Sequence, residues 1–316
     1  MDLSIVIPVY NEKENLPLLY DELKSILASA DISYEVIFVD DGSNDGSFDI
    51  LKDIFNNDGN IKIIKFRRNF GQTPALFMGF KYSKGKFIIS MDGDLQNDPK
   101  DILNLYNEIQ KGYDVVSGWR HNRKDSISKK LFSKISNWLV DKFFKMYIHD
   151  SGCTLKAYRK EAVNDLEFLS GETHRYIPAL LFAKGYNIGE IKVNHRERRF
   201  GSTKYKYGRL VKGFLDLIFI KFWSSFSTRP IHFFGYIGVY FLIAGISLAA
   251  YKVFIELIIF HVPLIVGPLL LFSVLLTLTG LQFFTFGFLA EIMMRSLYTL
   301  QKQEFLPKVE TILARE

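Results

Sequence analysis

Two long stretches without a single charged residue dominate the C-terminal part of this chain. Residues 233–251 read FFGYIGVYFLIAGISLAAY, and residues 262–290 form a second, longer run. Each is long enough to cross a bilayer's hydrocarbon core, and soluble helices rarely stay apolar on every face for that distance. Gly punctuates the first run and Gly and Pro the second, which membrane helices tolerate. A transmembrane hairpin is predicted, closed near residues 261–268. Lys252 and Glu256 lie one helical turn apart near that closed end and are placed to pair or to reach the interface.

Charge gives the hairpin a side. Lys212, Lys221 and Arg229 precede the first run, and Arg295, Lys302 and Lys308 follow the second. By the positive-inside rule both flanks face the cytosol, so the large N-terminal part and both termini are expected there. Residues 207–229 mix apolar side chains with Arg209, Lys212, Lys221 and Trp223, the composition of a helix lying on a membrane surface. The expected division is a cytosolic domain over 1–206, an interfacial helix region over 207–230, two transmembrane helices over 231–298 and a cytosolic tail over 299–316. The net charge of +6 suits a membrane partner, and no nucleic-acid partner is expected. The lone cysteine, Cys153, excludes an intramolecular disulfide framework. The opening MDLSIVIPVYNE lacks a basic leader and reads as a strand, not a signal peptide.

The N-terminal part alternates β-rich apolar runs with helical patterns. Strands are predicted at 3–9, 34–39, 61–66, 87–91 and from 115, with helices at 13–29, up to about 55, 73–83 and 98–110. Such alternation implies an α/β fold, a mostly parallel sheet covered on both faces, with ligands bound beyond the carboxyl ends of the strands. The polar clusters fall there: Pro8-Val9-Tyr10-Asn11-Glu12, Asp40-Asp41-Gly42-Ser43 and Asp92-Gly93-Asp94. No GxGxxG follows the first strand and no GxxxxGK[ST] occurs, which removes the main support for a dinucleotide oxidoreductase or a P-loop ATPase.

Two aspartates flanking a glycine at a strand end repel each other unless a cation lies between them. Hard divalent ions such as Mg2+ or Mn2+ favour carboxylate oxygens and bridge to substrate phosphates. Asp92 and Asp94 point the same way only if the chain turns, and Gly93 is the residue expected to permit it. Gln96 offers a further oxygen. A solvated acidic turn would explain DGD alone; its place after an apolar strand favours the metal.

VIPVYNE, VDDGS, NFGQTPALFMGFKYSKG and MDGDLQNDP occur in order, and together they resemble a family 2 glycosyltransferase of GT-A fold. Within that family the chain is similar to dolichyl-phosphate mannose synthases and bacterial polyprenyl-phosphate glycosyltransferases, over about residues 1–205, and the bacterial likeness implies the inner membrane of a bacterial cell. The resemblance implies that Pro8, Tyr10 and Glu12 line the nucleotide site and that Asp40 and Asp41 contact base and ribose. It implies that Asp92, Asp94 and Gln96 hold the metal and diphosphate, with Gly93 where alanine is commoner. It further implies that Arg120 and Lys129 or Lys130 meet the acceptor phosphate. In His149-Asp150-Ser151-Gly152-Cys153 it assigns Asp150 as catalytic base. A phosphate monoester is largely dianionic at neutral pH and hardly needs a base, so the alternative role for Asp150 is to orient the sugar or a basic group. The stretch 196–205, RERRFGSTKY, resembles a loop that closes on the diphosphate, with Arg198 and Lys204 as phosphate-binding cations.

The expected function is metal-dependent, inverting transfer of one hexose, with UDP-glucose the expected donor, to a polyprenyl phosphate such as undecaprenyl phosphate; self-association is compatible with the hairpin. A processive polysaccharide synthase would need a QxxRW motif and more spans, and a non-catalytic scaffold would not need an intact DGDLQ.

Overall fold

In the computed structural model, the described residues are 1–121, 137–166, 171, 173–200, 209–226, 229–300 and 309–314. The chain divides into two compact units, Met1–Lys221 with Phe305–Glu316, and Phe222–Glu304.

The first unit is built on an eight-stranded sheet. Its strands are β1 (Leu3–Val9), β2 (Tyr34–Asp40), β3 (Ile61–Phe66), β4 (Phe87–Ser90), β5 (Val115–Arg120), β6 (Lys156–Arg159), β7 (Ile188–Val193) and β8 (Val309–Leu313). They lie in the order β7-β5-β6-β4-β1-β2-β3-β8. The β4-β1-β2-β3 block is parallel, as is β5 with β7; β6 runs antiparallel to β4 and β5, and β8 antiparallel to β3. The continuous apolar runs of β1 and β2 are buried on both faces because helices cover both, which is why their limits were legible.

On one face α1 (Leu16–Ala28) buries Leu16, Leu19, Leu23 and Leu27, a single helical stripe, against Ile5, Ile7 and Phe38. There too lie α2 (Ser47–Asn57) and α4 (Asp101–Ile109). On the other face α3 (Gln72–Tyr82), α6 (Lys160–Asn164) and α7 (Ile177–Ala183) enclose Val6, Ile37 and Val39. Gly79 of α3 packs so closely that a Cβ would fall 2.2 Å from Val6 Cγ1. A third cluster joins helix α5, residues 137–144, to α8 (Arg209–Phe226) through Val140, Phe144, Leu217 and Ile220. Leu215, Ile218 and Phe219 of α8 stay exposed, so its apolar residues divide between a packed face and an open one.

The second unit holds α9 (Pro230–Val253), a π-helical turn (Phe254–Ile259) and α10 (Pro268–Leu300). Pro230–Ile259 and Pro268–Met294 both have a mean hydropathy of 2.0 and are long and apolar enough to cross a membrane. Their backbones approach closely at small residues: a Cβ on Gly238 would sit 2.9 Å from the Gly280 carbonyl, and one on Gly245 2.7 Å from Thr277 N. Lys252 pairs with Glu256, whose other oxygen accepts the Ile265 amide at 3.1 Å, tying off the connection.

The limits found in the structure differ from the sequence reading mainly in what was missed. Strands β6, β7 and β8 were not predicted. The division between the units falls inside α8, and the C-terminal strand β8 belongs to the sheet.

Candidate active site

The carboxyl ends of β4, β1 and β2 lie side by side, so the segments following them meet. Asn11 and Glu12 donate their amides to Ser43 Oγ and Ser47 Oγ, both at 2.9 Å, and Asn11 Oδ1 accepts the Asn44 amide at 2.9 Å. These bonds splice the PVYNE segment to the VDDGS segment. Pro8, Tyr10 and Glu12 are half-buried along this seam.

The two acids of VDDGS do different work. Asp40 is fully buried; its Oδ1 accepts the Ser43 amide at 3.1 Å, while Oδ2 has no hydrogen-bond partner. Burial pushes its carboxyl up. An orphaned carboxylate oxygen at a strand end is an acceptor awaiting a donor, as a base or ribose would supply. Asp41 instead takes the amides of Phe70 and Gly71, at 2.7 and 2.9 Å. It fastens the turn that opens α3. Gly42 between these segments has φ +71°, and a Cβ there would meet the Arg68 backbone at 2.5 Å, so only glycine fits.

Helix α3 then delivers Gln72, whose Nε2 donates to Asp92 Oδ1 at 2.7 Å. Asp92 Oδ2 accepts Thr154 Oγ1 at 2.5 Å. Asp94 is buried; its Oδ1 accepts the Gln96 amide at 3.1 Å, and its Oδ2 receives Arg198 Nη2 at 2.5 Å. Burial, then the Asp92 carboxylate and more distantly Glu12, push the Asp94 carboxyl up to about 6 against the pull of Arg198. The turn expected at Gly93 is made elsewhere. Gly93 is not among the positive-φ residues, and Leu95 takes the left-handed conformation with φ +61°. Leu95 is buried, which holds that costly backbone in place. A Cβ on Gly93 would meet Pro8 O at 3.4 Å, an ordinary contact, so alanine would fit there.

Among the described residues no group of three or more His, Cys, Asp or Glu is arranged to hold a metal. The fit for a divalent ion rests on Asp92 and Asp94: hard oxygen donors on one loop, one of them buried, raised by burial and by its neighbouring carboxylate, and already paired with a cation, Arg198. Further ligands would come from substrate phosphates. Gln96 contributes its backbone, with its carbonyl accepting the Arg196 amide at 2.8 Å. Arg196 also bridges Glu22 and Asp98, at 2.6 and 2.8 Å, and so anchors the base of the segment carrying Arg198.

On the other side of Thr154 lies the second half of the site. Arg120, at the end of β5, grips Asp150 through Nε at 2.6 Å and Nη2 at 2.9 Å. This fork-on-carboxylate geometry is the strong form of the ion pair. Burial works against the Arg120 cation, but Asp150 prevails and holds it above its usual range. Glu190 of β7 accepts the amides of His149 and Asp150, and His149 stacks on Trp119 with centroids 4.0 Å apart. The structure therefore brings two predicted residues, Arg120 and Asp150, into one unit. It places Arg198 on Asp94. Lys129, Lys130 and Lys204 lie outside the described residues. Sequence reasoning missed Gln72, Thr154 and Glu190. Gln72 lay within the quoted NFGQ segment; the other two carried no local signal.

The chain matches the model of the family described as glycosyl transferase family 2 over residues 4–167. It is 35% identical to the dodecaprenyl-phosphate galacturonate synthase of Rhizobium johnstonii, covering 94% of this chain and 89% of that one. It is 36% identical to the undecaprenyl-phosphate 4-deoxy-4-formamido-L-arabinose transferase of Salmonella choleraesuis, covering 92% and 87%. In fold it is similar to the glucosyl-3-phosphoglycerate synthase of Mycobacterium tuberculosis solved with Mn2+, UDP and glucosyl-3-phosphoglycerate. The TM-score is 0.55 with 15% identity, over 71% of this chain and 79% of that one. The same enzyme has been solved with Mg2+ and UDP.

Proposed function

Since the chain belongs to glycosyl transferase family 2 and is a glycosyltransferase of GT-A fold, we propose that it moves one sugar from a nucleotide sugar to a polyprenyl phosphate at the cytosolic face of a membrane. One observation carries the reading. A single short turn, Asp150 to Leu155, binds the phosphate-seeking Arg120 at one end and the donor-side Asp92 at the other. Two relatives of similar length, each named for a polyprenyl-phosphate transfer, support it, as do two helices apolar enough to anchor the protein where such a lipid resides.

In this reading Asp40, through its unpartnered oxygen, takes the base or ribose, with Pro8, Tyr10 and Glu12 lining the same seam. Asp92 and Asp94 would hold Mg2+ or Mn2+, which when bound would supply charge neutralisation for the departing nucleoside diphosphate. Arg198, beside Asp94, and Lys204 on the same segment would stabilise the negative charge of the diphosphate. Arg120 binds the acceptor phosphate. Its oxygen, already anionic, attacks the anomeric carbon from the face opposite the leaving group, so configuration inverts in a single displacement. Asp150 keeps the Arg120 fork aimed and need not take a proton.

The donor is proposed as a UDP-sugar. UDP-glucose, the expectation from sequence, has no counterpart in the two relatives, whose names specify galacturonate and a formamido-arabinose. Purified protein incubated with undecaprenyl phosphate and a panel containing UDP-glucose, UDP-galacturonate and UDP-4-deoxy-4-formamido-L-arabinose reads the donor directly. One panel member yields an organic-phase lipid-linked monosaccharide. Chelator, or Asp94→Asn, lowers its formation about a hundredfold, the scale of one lost charge-stabilising group. Undiminished synthesis after either change would refute the metal role.

A further inference from the structure

Strand β6 opens on a lysine that has no evident place in a sheet interior. Lys156 is 1% exposed and ranks among the largest fully buried side chains. It stands in register with Ser90 of β4 on one side and Ser117 of β5 on the other, so all three share a sheet face. An ammonium taken from water costs several kcal/mol unless its donors are satisfied. Here Nζ donates to the carbonyls of Ser151, at 3.2 Å, and of Cys153. The lysine lies beneath the Asp150–Leu155 turn and binds its inward-facing backbone.

Two of the side chains on that turn reach the candidate active site. Asp150 grips Arg120, and Thr154 Oγ1 reaches Asp92. Ser151 Oγ donates to Asn137 Oδ1 at 2.7 Å, and the Thr154 carbonyl accepts Ser90 Oγ at 2.6 Å. The charged and titratable groups facing Lys156 are Arg120 from β5, Arg175 from the 3-10 turn Thr173–Tyr176, and Asp150 and Cys153 from the turn itself. Burial pushes the Cys153 thiol up to about 11, so it stays neutral and does not pair with the lysine.

We propose that Lys156 is a positioning residue for the transfer: its ammonium fixes the Asp150–Leu155 turn, and through it sets Arg120 and Asp92 in register, so that acceptor and donor are held as one unit. The inference rests on the function proposed above. It also gives the buried charge a use, because a methionine of similar length would fill the space without binding the carbonyls.

Burial pushes the Lys156 ammonium down to about 8, within reach of an assay. The test measures kcat and KM for undecaprenyl phosphate between pH 6.5 and 9.5 for wild type, Lys156→Met and Lys156→Arg, with thermal melting in detergent as the folding control. Wild-type kcat/KM should fall through a limb near pH 8 as the ammonium loses its proton. K156M should lose about tenfold or more in kcat at pH 7, the scale of a supporting residue, and show no such limb. K156R should retain more activity than K156M and move the limb upward. A folded K156M that matches wild type, or a K156R with an unshifted limb, overturns the proposal. Should either variant fail to fold, the wild-type profile decides: a flat profile from pH 7 to 9 overturns it. A wild type that forms no lipid-linked product with any donor overturns the function, and this inference with it, whereas an active wild type equalled by K156M overturns only the inference.

Discussion

Replacing Thr154 with valine removes its bond to Asp92, together with a long contact to Asn97 Oδ1 at 3.5 Å. Valine matches threonine in shape, so packing is kept while the hydroxyl is lost. Thr154 Oγ1 donates to Asp92 Oδ2 at 2.5 Å, and Gln72 alone then holds the other oxygen. A hydrogen bond to a charged group contributes about 1.5–3 kcal/mol. Asp92 is partly exposed, and water can take over some of the lost bond, so the lower end applies. At 1.4 kcal/mol per decade this is about a tenfold loss. Because Asp92 is proposed to hold the metal-bound diphosphate, the loss should appear in Mn2+-dependent binding of UDP, titrated with the purified protein. KM for the donor should rise alongside it, while KM for the lipid changes less. Thr154→Ser keeps the donor and should recover most of the affinity. Equal UDP affinity in T154V and wild type, or a T154S as weak as T154V, would refute the reasoning.

Two further outcomes concern stability. Lys62 of β3 and Glu35 of β2 form a buried pair at 3.1 Å, and Lys62 also donates to the Tyr82 carbonyl at 2.9 Å. Lys62→Met strands the carboxylate and should cost about 3 kcal/mol, seen as a lowered unfolding midpoint in detergent. The Glu35 carboxyl itself would be raised by burial, but Ser4, the Lys84 amide and Lys62 together hold it below its ordinary value. A depressed carboxyl stabilises the fold above the unfolded value of 4.5 and loses that contribution as pH falls through the folded one. Melting of wild type should therefore fall more steeply below pH 4.5 than melting of Glu35→Gln, and parallel curves would contradict this.

Some of this molecule was written locally and some was not. The limits of β1 and β3 were readable because helices bury both faces of these strands, leaving unbroken apolar runs between polar ends. The acids were readable because they follow those runs. Strand β6 was not, since KAYR carries Lys156 and Arg159, and only distant carbonyls explain a buried lysine there. The partners of Asp92 come from residues 20 and 62 positions away, and the Arg198 partner of Asp94 from 104 positions away. No window of sequence spans such pairs. The turn assigned to Gly93 failed for a related reason: burial of Leu95, a tertiary effect, selects the left-handed residue.

The pairing of β8 with β3 has a consequence for biogenesis. In chain order β8 follows both apolar helices, yet it covers the outer rim of the sheet that the first 66 residues build. During synthesis β3 must wait, its rim hydrogen bonds open, until the hairpin has left the ribosome. An open strand rim invites pairing with other chains. The last strand thus acts as a late seal, fitted only after the anchor exists.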